Sequence, residues 1–175
     1  MANREALREL QTRLASRLKA AQSAGASVTW LAVRTGQRNY LFPLSQSGEI
    51  VPLAQVQTVP YVRSWFRGVL NIRGGLYGVV DFATFVINGV PAASGRESTE
   101  ASVVTLNSAL EVNCALQVDS LLGLRGPDAF VTSEPTPPDA PPYFSQQWVD
   151  AAGAQWQEID LRALAHDPQF LNILA

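Results

Sequence analysis

The sequence is short of the residues that carry most catalytic and redox chemistry. Its 175 residues include one histidine, one cysteine and one methionine. With Cys114 alone no disulfide can close within the chain. A catalytic centre needs several reactive groups converging on one point, and a lone His and a lone Cys leave few sets to choose from. No His or Cys cluster has transition-metal spacing, and no P-loop or Rossmann glycine pattern occurs. Neither a metal nor a cofactor is expected. Gly74-Gly75 alone is explained by turn geometry. Cys114 falls on the apolar phase of its segment and reads as a small buried hydrophobe. His166 stands beside Asp167 near the end of a helical turn, where the helix dipole favours a cation, so a structural role is expected. Asp81 and Asp119 are the one pair that could do acid–base work, which leaves a small carboxylate-dependent enzyme open as an alternative. Each also closes an apolar strand, where carboxylates commonly serve turns.

Charge of one sign is scarce too. Thirteen Lys and Arg against fifteen Asp and Glu give a formal net charge of -2, too balanced for the footprint of a general nucleic-acid binder. No apolar run approaches the roughly 20 residues needed to cross a bilayer. Met1-Ala2-Asn3-Arg4-Glu5 leads into charged residues rather than an apolar signal core, so a cytoplasmic location is expected, without membrane insertion. What the chain does have is apolar bulk: 47% hydrophobic residues suffice for a sizeable core without staples.

Leu7, Leu10, Leu14 and Leu18 recur at three- and four-residue steps between Arg4 and about Ala21, which predicts an amphipathic helix. Ser23 to Ser27 reads as its joint. Residues 1–26 therefore form an N-terminal helix and joint, and 27–175 the main domain. The helix either packs on that domain or binds a partner. Beyond it the pattern turns to short extended segments. Val28–Val33 and Asn39–Leu44 flank a turn at Thr35-Gly36-Gln37 and read as a hairpin. Glu49–Leu53, Gly68–Ile72, Leu76–Phe82 and Val103–Leu106 follow. From Leu110 to Val118 apolar and polar residues alternate, as in a half-buried strand. Asn88–Glu100 and the proline-rich Glu134–Pro142 read as loops. Trp156–Ile159 is strand-like, Asp160–His166 a helical turn, and Asp167-Pro168 a capped helix start. Many short strands with few helices argue for small barrels, an all-β fold.

Phe66-Arg67-Gly68-Val69-Leu70-Asn71-Ile72-Arg73-Gly74-Gly75-Leu76-Tyr77-Gly78-Val79-Val80-Asp81-Phe82 resembles the central signature of CheW-like domains. There a Gly, two apolar residues, Asn, an apolar residue and Arg-Gly lead into a strand ending in Val-Asp. Gly48-Glu49-Ile50-Val51, Val118-Asp119-Ser120-Leu121-Leu122 and Ile159-Asp160-Leu161-Arg162-Ala163-Leu164 resemble further family segments in the right order. The likeness spans about residues 28 to 170. Gly78 stands where the family usually has Pro, and Tyr77 and Phe82 replace aliphatic residues. With the long N-terminal helix, these departures resemble the adaptors of type IV pilus chemosensory systems more than the flagellar one.

The resemblance implies two intertwined SH3-like five-stranded β-barrels. It implies a non-catalytic chemosensory adaptor that joins a chemoreceptor's cytoplasmic tip to the regulatory domain of a CheA-like histidine kinase, recruited to membrane-associated receptor arrays and controlling twitching movement. A CheW-like regulatory domain of a kinase or of a CheV-like protein stays open, although the start at Met1 argues against a fragment. Arg73 is the first protein-binding candidate: its planar fork can brace a carboxylate bidentately, and the resemblance pairs it with Glu49. Asn71 and Gly74 are expected to shape the turn presenting Arg73. Trp65 and Phe66, with Arg63 and Arg67 nearby, have the composition of an interface hot spot, with core packing the open alternative.

Overall fold

The computed structural model describes residues 2–23, 29–87 and 101–175, with side chains of the N-terminal helix described over residues 4–19. The loop expected at Asn88–Glu100, and the joint beyond Ser23, lie outside the described residues. Helix α1 (Ala2–Ser23) comes first, then β1 (Trp30–Thr35), β2 (Arg38–Pro43), β3 (Ser47–Pro52), β4 (Phe66–Ile72), β5 (Gly75–Asp81) and helix α2 (Phe82–Val86). After the undescribed stretch come β6 (Ser102–Leu106), β7 (Cys114–Val118), β8 (Ser120–Arg125), β9 (Phe130–Pro135), β10 (Phe144–Asp150), β11 (Gln155–Ile159), α3 (Leu161–Ala165) and α4 (Pro168–Leu171).

The strands form two sheets. The order in one is β8-β1-β2-β11-β10-β9 and in the other β3-β6-β7-β5-β4. The chain enters the first sheet, builds the whole of the second, and returns, so the two are interwoven. They are open sheets of six and five strands, which corrects the expected pair of closed five-stranded barrels. The physical reason lies at the edges: α1 lies against β3 and β8, so a helix rather than strand pairing covers one edge of each sheet. Curling is nonetheless strong. β1 and β9 are four places apart, a separation of roughly 19 Å in a flat sheet. The rings of Trp30 and Phe130 are nevertheless 5.8 Å apart.

Each sheet thus wraps a small core of its own. Trp30, Ala32, Leu41 and Trp156 fill the first, with Phe130 and Trp148 packed against them; Leu70, Ile72, Val79, Val103 and Ala115 fill the second. The largest core lies between the sheets and includes Val33, Phe42, Phe82, Leu116 and Ile159. Burying apolar area at about 25 cal/mol per Å² makes this the main stabilising element.

Leu14 and Leu18 of α1 join the inter-sheet core, so the helix packs on its own domain. Its inward stripe differs from the expected one by a single step. Leu10 is 48% exposed while Gln11 is buried, and Gln11 Nε2 donates to Ser102 Oγ at 2.8 Å. Leu7, Gln11, Leu14 and Leu18 are the residues on the stripe, a helical face in which one leucine is replaced by a satisfied amide. The expected Leu110–Val118 strand is also shorter: Ser108–Leu110 is a 3-10 turn, Glu111 has φ 57°, and only Cys114–Val118 is strand. All five strand residues are buried because β7 sits inside its sheet with a core on either face, so the half-buried reading is corrected as well. Glu134 and Pro135 end β9, and the rest of the proline-rich stretch is loop.

Candidate docking site

The β4–β5 hairpin pairs Ile72 with Gly75, which leaves Arg73 and Gly74 as a two-residue turn. Both have positive φ, 50° and 85°, the mirror-image turn whose twist matches paired strands. Glycine adopts this conformation at no steric cost, whereas an arginine is strained by it. Asn71 Oδ1 accepts the Gly74 N–H at 3.0 Å, tying the turn to the strand before it. Asn71 and Gly74 therefore set the direction in which Arg73 projects.

Glu49 is brought opposite by β3. Its backbone N–H donates to Thr105 Oγ1 at 2.7 Å, and the β3–β6 register breaks between Ser47 and Ile50. Gly48 makes this approach possible, since a Cβ there would stand 2.3 Å from Thr105 Oγ1. Arg73 Nε lies 3.1 Å from Glu49 Oε2, with side-chain exposures of 70% and 39%. The expected two-pronged clasp is not formed. Glu49 Oε2 is shielded from solvent yet has no hydrogen bond of proper geometry, so the contact is a charge pairing through one nitrogen. At this exposure such a pair contributes about 0 to 1 kcal/mol.

The pair borders a cleft of about 430 Å³ whose walls include Thr12 and Leu18 of α1, Tyr77 of β5 and Thr105 of β6. Leu76, beside the turn, is 60% exposed. A cation, a shielded carboxylate oxygen and walls of mixed polar and apolar side chains therefore meet at an open cleft. Sequence reasoning missed Thr12, Leu76 and Thr105. Tyr77 had been marked only as a departure from a family pattern, and no local signal distinguished the others.

Trp65 and Phe66 do not line this cleft. Trp65 is buried, stacked on Phe170 at 6.4 Å and 4° and edge-on to Phe85 at 5.0 Å. Trp65 thus packs in the core, while its edge lines a separate surface cleft with Arg63, Phe85 and Asn172. Phe66 is half-buried against the inter-sheet core. Its ring would lie 2.9 Å from a Cβ at Gly78, so the glycine makes room for the aromatic.

The remaining titratable groups have local duties. Asp81 Oδ1 caps α2 through Thr84 N–H, and Asp119 Oδ2 accepts from Gly36 N–H at 2.7 Å in the β1–β2 turn. Asp160 and Asp167 cap α3 and α4. His166 ends α3, with Nδ1 2.8 Å from Arg162 O. Burial pushes the Cys114 thiol up to about 12, which makes it unreactive in the folded protein. Among the described residues no helix is long and apolar enough to cross a membrane.

The curled double sheet has known counterparts. Residues 29–169 match the CheW-like domain, and the chain belongs to that family. It is a CheW-like adaptor and is similar to Protein PilI of Pseudomonas aeruginosa, with 31% identity over 126 residues, 72% of this chain and 68% of PilI. Among solved structures it is similar to the scaffolding protein TtCheW from Thermoanaerobacter tengcongensis. There the TM-score is 0.67 at 15% identity, with 85% of this chain and 99% of the other covered, a likeness of fold.

Proposed function

We propose that this chain is a non-catalytic adaptor that couples the cytoplasmic tip of a chemoreceptor to the regulatory domain of a CheA-like histidine kinase. The sensory system it serves controls twitching movement by type IV pili, and the adaptor works in the cytoplasm, recruited to membrane-associated receptor arrays. Residues 27–175 are the docking domain and residues 1–26 an appended helix and its joint. Family membership and the likeness to PilI support this reading. The single observation that carries it is Arg73: an exposed cation, kept in a strained backbone conformation at the tip of a hairpin, beside a shielded carboxylate and an open cleft. Strain of this kind persists where the surrounding structure imposes it, and it clusters at functional sites.

The test is binding of wild type and Arg73→Ala to a purified receptor-tip helical hairpin and to a kinase regulatory domain, by calorimetric titration. Loss of a binding hot spot weakens one of the two by about tenfold or more, while thermal unfolding stays nearly unchanged. Equal affinities for both proteins would remove Arg73 from the site.

A further inference from the structure

Helix α1 turns two faces to the rest of the molecule. With successive residues about 100° apart around a helix, Leu7, Gln11, Leu14, Ala15 and Leu18 form one stripe about 100° wide. Gln11, Leu14 and Leu18 are buried, and Leu7 and Ala15 half-buried. A stripe of that width is what a helix held to a core presents, and Gln11 Nε2 adds its hydrogen bond to Ser102 Oγ of β6. α1 is therefore a fixed part of the domain. Thr12, Ser16 and Lys19, at steps of four and three residues, occupy roughly the next 60° of the helix. All three are exposed, and all three line the cleft beside Arg73.

The two walls of that cleft differ in origin. Glu49, Arg73, Tyr77 and Thr105 come from the sheet, inside the residues 29–169 that match the family domain. Thr12, Ser16 and Lys19 come from α1, which lies outside that match. Likeness to the family domain accounts for the first wall and leaves the second to this chain's own helix. Ser16 is small, so an occupant can pass close to the backbone of α1. Lys19 joins Arg73 to set two cations against the one carboxylate, Glu49, among the charged lining residues. An acidic occupant complements that balance.

We infer that Ser16 and Lys19 of α1 are specificity-determining residues of the adaptor. Among proteins able to reach Arg73, they select one whose contacting segment is acidic and passes closely over Ser16. Specificity is a difference of affinities, built as much from what a wall refuses as from what it attracts. This rests on the adaptor reading, in which a partner occupies the cleft at Arg73.

The occupant is first identified as whichever of the receptor-tip hairpin and the kinase regulatory domain Arg73→Ala weakens. Three full-length variants are then titrated against it by calorimetry. Ser16→Trp fills the space over the α1 wall and Lys19→Glu reverses its charge. Each is expected to weaken binding by about tenfold or more, and the effect of Lys19→Glu shrinks as salt is raised. Arg17→Glu makes the same change of charge at an exposed residue of α1 that does not line the cleft, and it is expected to bind as wild type does. Melting followed by circular dichroism, and affinity for the other protein, stay as in wild type for all three. If Arg73→Ala weakens one protein while Ser16→Trp and Lys19→Glu bind it as tightly as wild type, the α1 wall is wrong and the adaptor stands. Equal losses in Lys19→Glu and Arg17→Glu would also sink it, because general attraction rather than contact would then be at work. If wild type binds neither protein, or Arg73→Ala weakens neither, the reading beneath the inference fails with it.

Discussion

Replacing Arg73 by glycine and, separately, by alanine separates strain from contact. Arg73 makes one exposed charge contact at 3.1 Å, worth about 0 to 1 kcal/mol to the fold. Its φ of 50° costs an L-residue about 1–2 kcal/mol relative to glycine. Arg73→Ala loses the contact and keeps the strain, so it is destabilised by about 0–1 kcal/mol. Arg73→Gly loses the same contact but relieves the strain, which leaves it as stable as wild type or up to about 2 kcal/mol more so. The two variants differ by about 1–2 kcal/mol, which at a urea slope near 2 kcal/mol per M separates their midpoints by roughly 0.5–1 M. Buried Trp30, Trp65 and Trp156 report unfolding by fluorescence. Both variants lose the binding proposed for Arg73, so the glycine variant is the more stable protein and the poorer adaptor. An alanine midpoint equal to or above the glycine midpoint would refute the claim that the turn stores strain at this residue.

Gly68→Ala is expected to be far more damaging. Its φ is 134°, and an added Cβ would stand 2.1 Å from the Gln57 carbonyl oxygen. That carbonyl and the Gln57 N–H exchange hydrogen bonds with Val69 at 2.9 and 2.8 Å. Backbone strain of about 1–3 kcal/mol and a net loss of about 1 kcal/mol per broken hydrogen bond predict a stability loss of roughly 2–4 kcal/mol in urea; a loss below about 1 kcal/mol would contradict it. Alkaline pH offers an independent test. The folded Cys114 thiol titrates at about 12 instead of an ordinary 9.0, so below pH 9 both states keep the proton and nothing is lost. As pH rises above that, the unfolded chain releases the proton first and stability falls until about pH 12. At pH 10 the loss is on the order of 1 kcal/mol, and Cys114→Ala should lose about that much less than wild type between pH 7 and pH 10. Tyr143, also raised to about 12, is common to both proteins and cancels. Parallel pH profiles would overturn the assignment.

Legibility in the sequence followed whether a signal was local. The β1–β2 hairpin, and the turn that joins β4 to β5, were readable because both carry glycines, which here adopt positive φ. The helix starts at Asp160 and Asp167 were readable because a cap is a matter of two or three residues. β8, β9 and β10 were missed: every β8 residue is only half-buried and most of β9 is exposed, so neither has the alternation that periodicity detects. β7 was overextended because alternation at Leu110–Val112 continued that of a true strand, although Glu111 turns the backbone left-handed. The choice of Gln11 over Leu10 for the inward face of α1 depends on Ser102, 91 residues away, and no local pattern encodes it. The Arg73–Glu49 pairing came from family likeness, whereas the one-pronged contact and the cleft around it depend on the Gly48–Thr105 approach between β3 and β6.

Two open sheets have four edges, and an unpaired edge invites another strand. Here the edges are treated differently. α1 lies along β3 and β8; the outer side of β4 is taken by the Gln57–Val69 bridge; β9 ends in Glu134 and Pro135, a charge and a residue that cannot donate to a ladder. Three edges are therefore covered and the fourth is blunted. Strand addition, the route by which sheet proteins often capture extended peptides, has little to work with. What the fold leaves accessible is side-chain chemistry at the hairpin tip and the cleft beside it. A partner that arrives as a helix matches that opening in shape, and one that arrives as an extended strand does not. A helical hairpin should therefore bind, and an unstructured peptide of the same sequence should bind only as far as it can fold into the cleft.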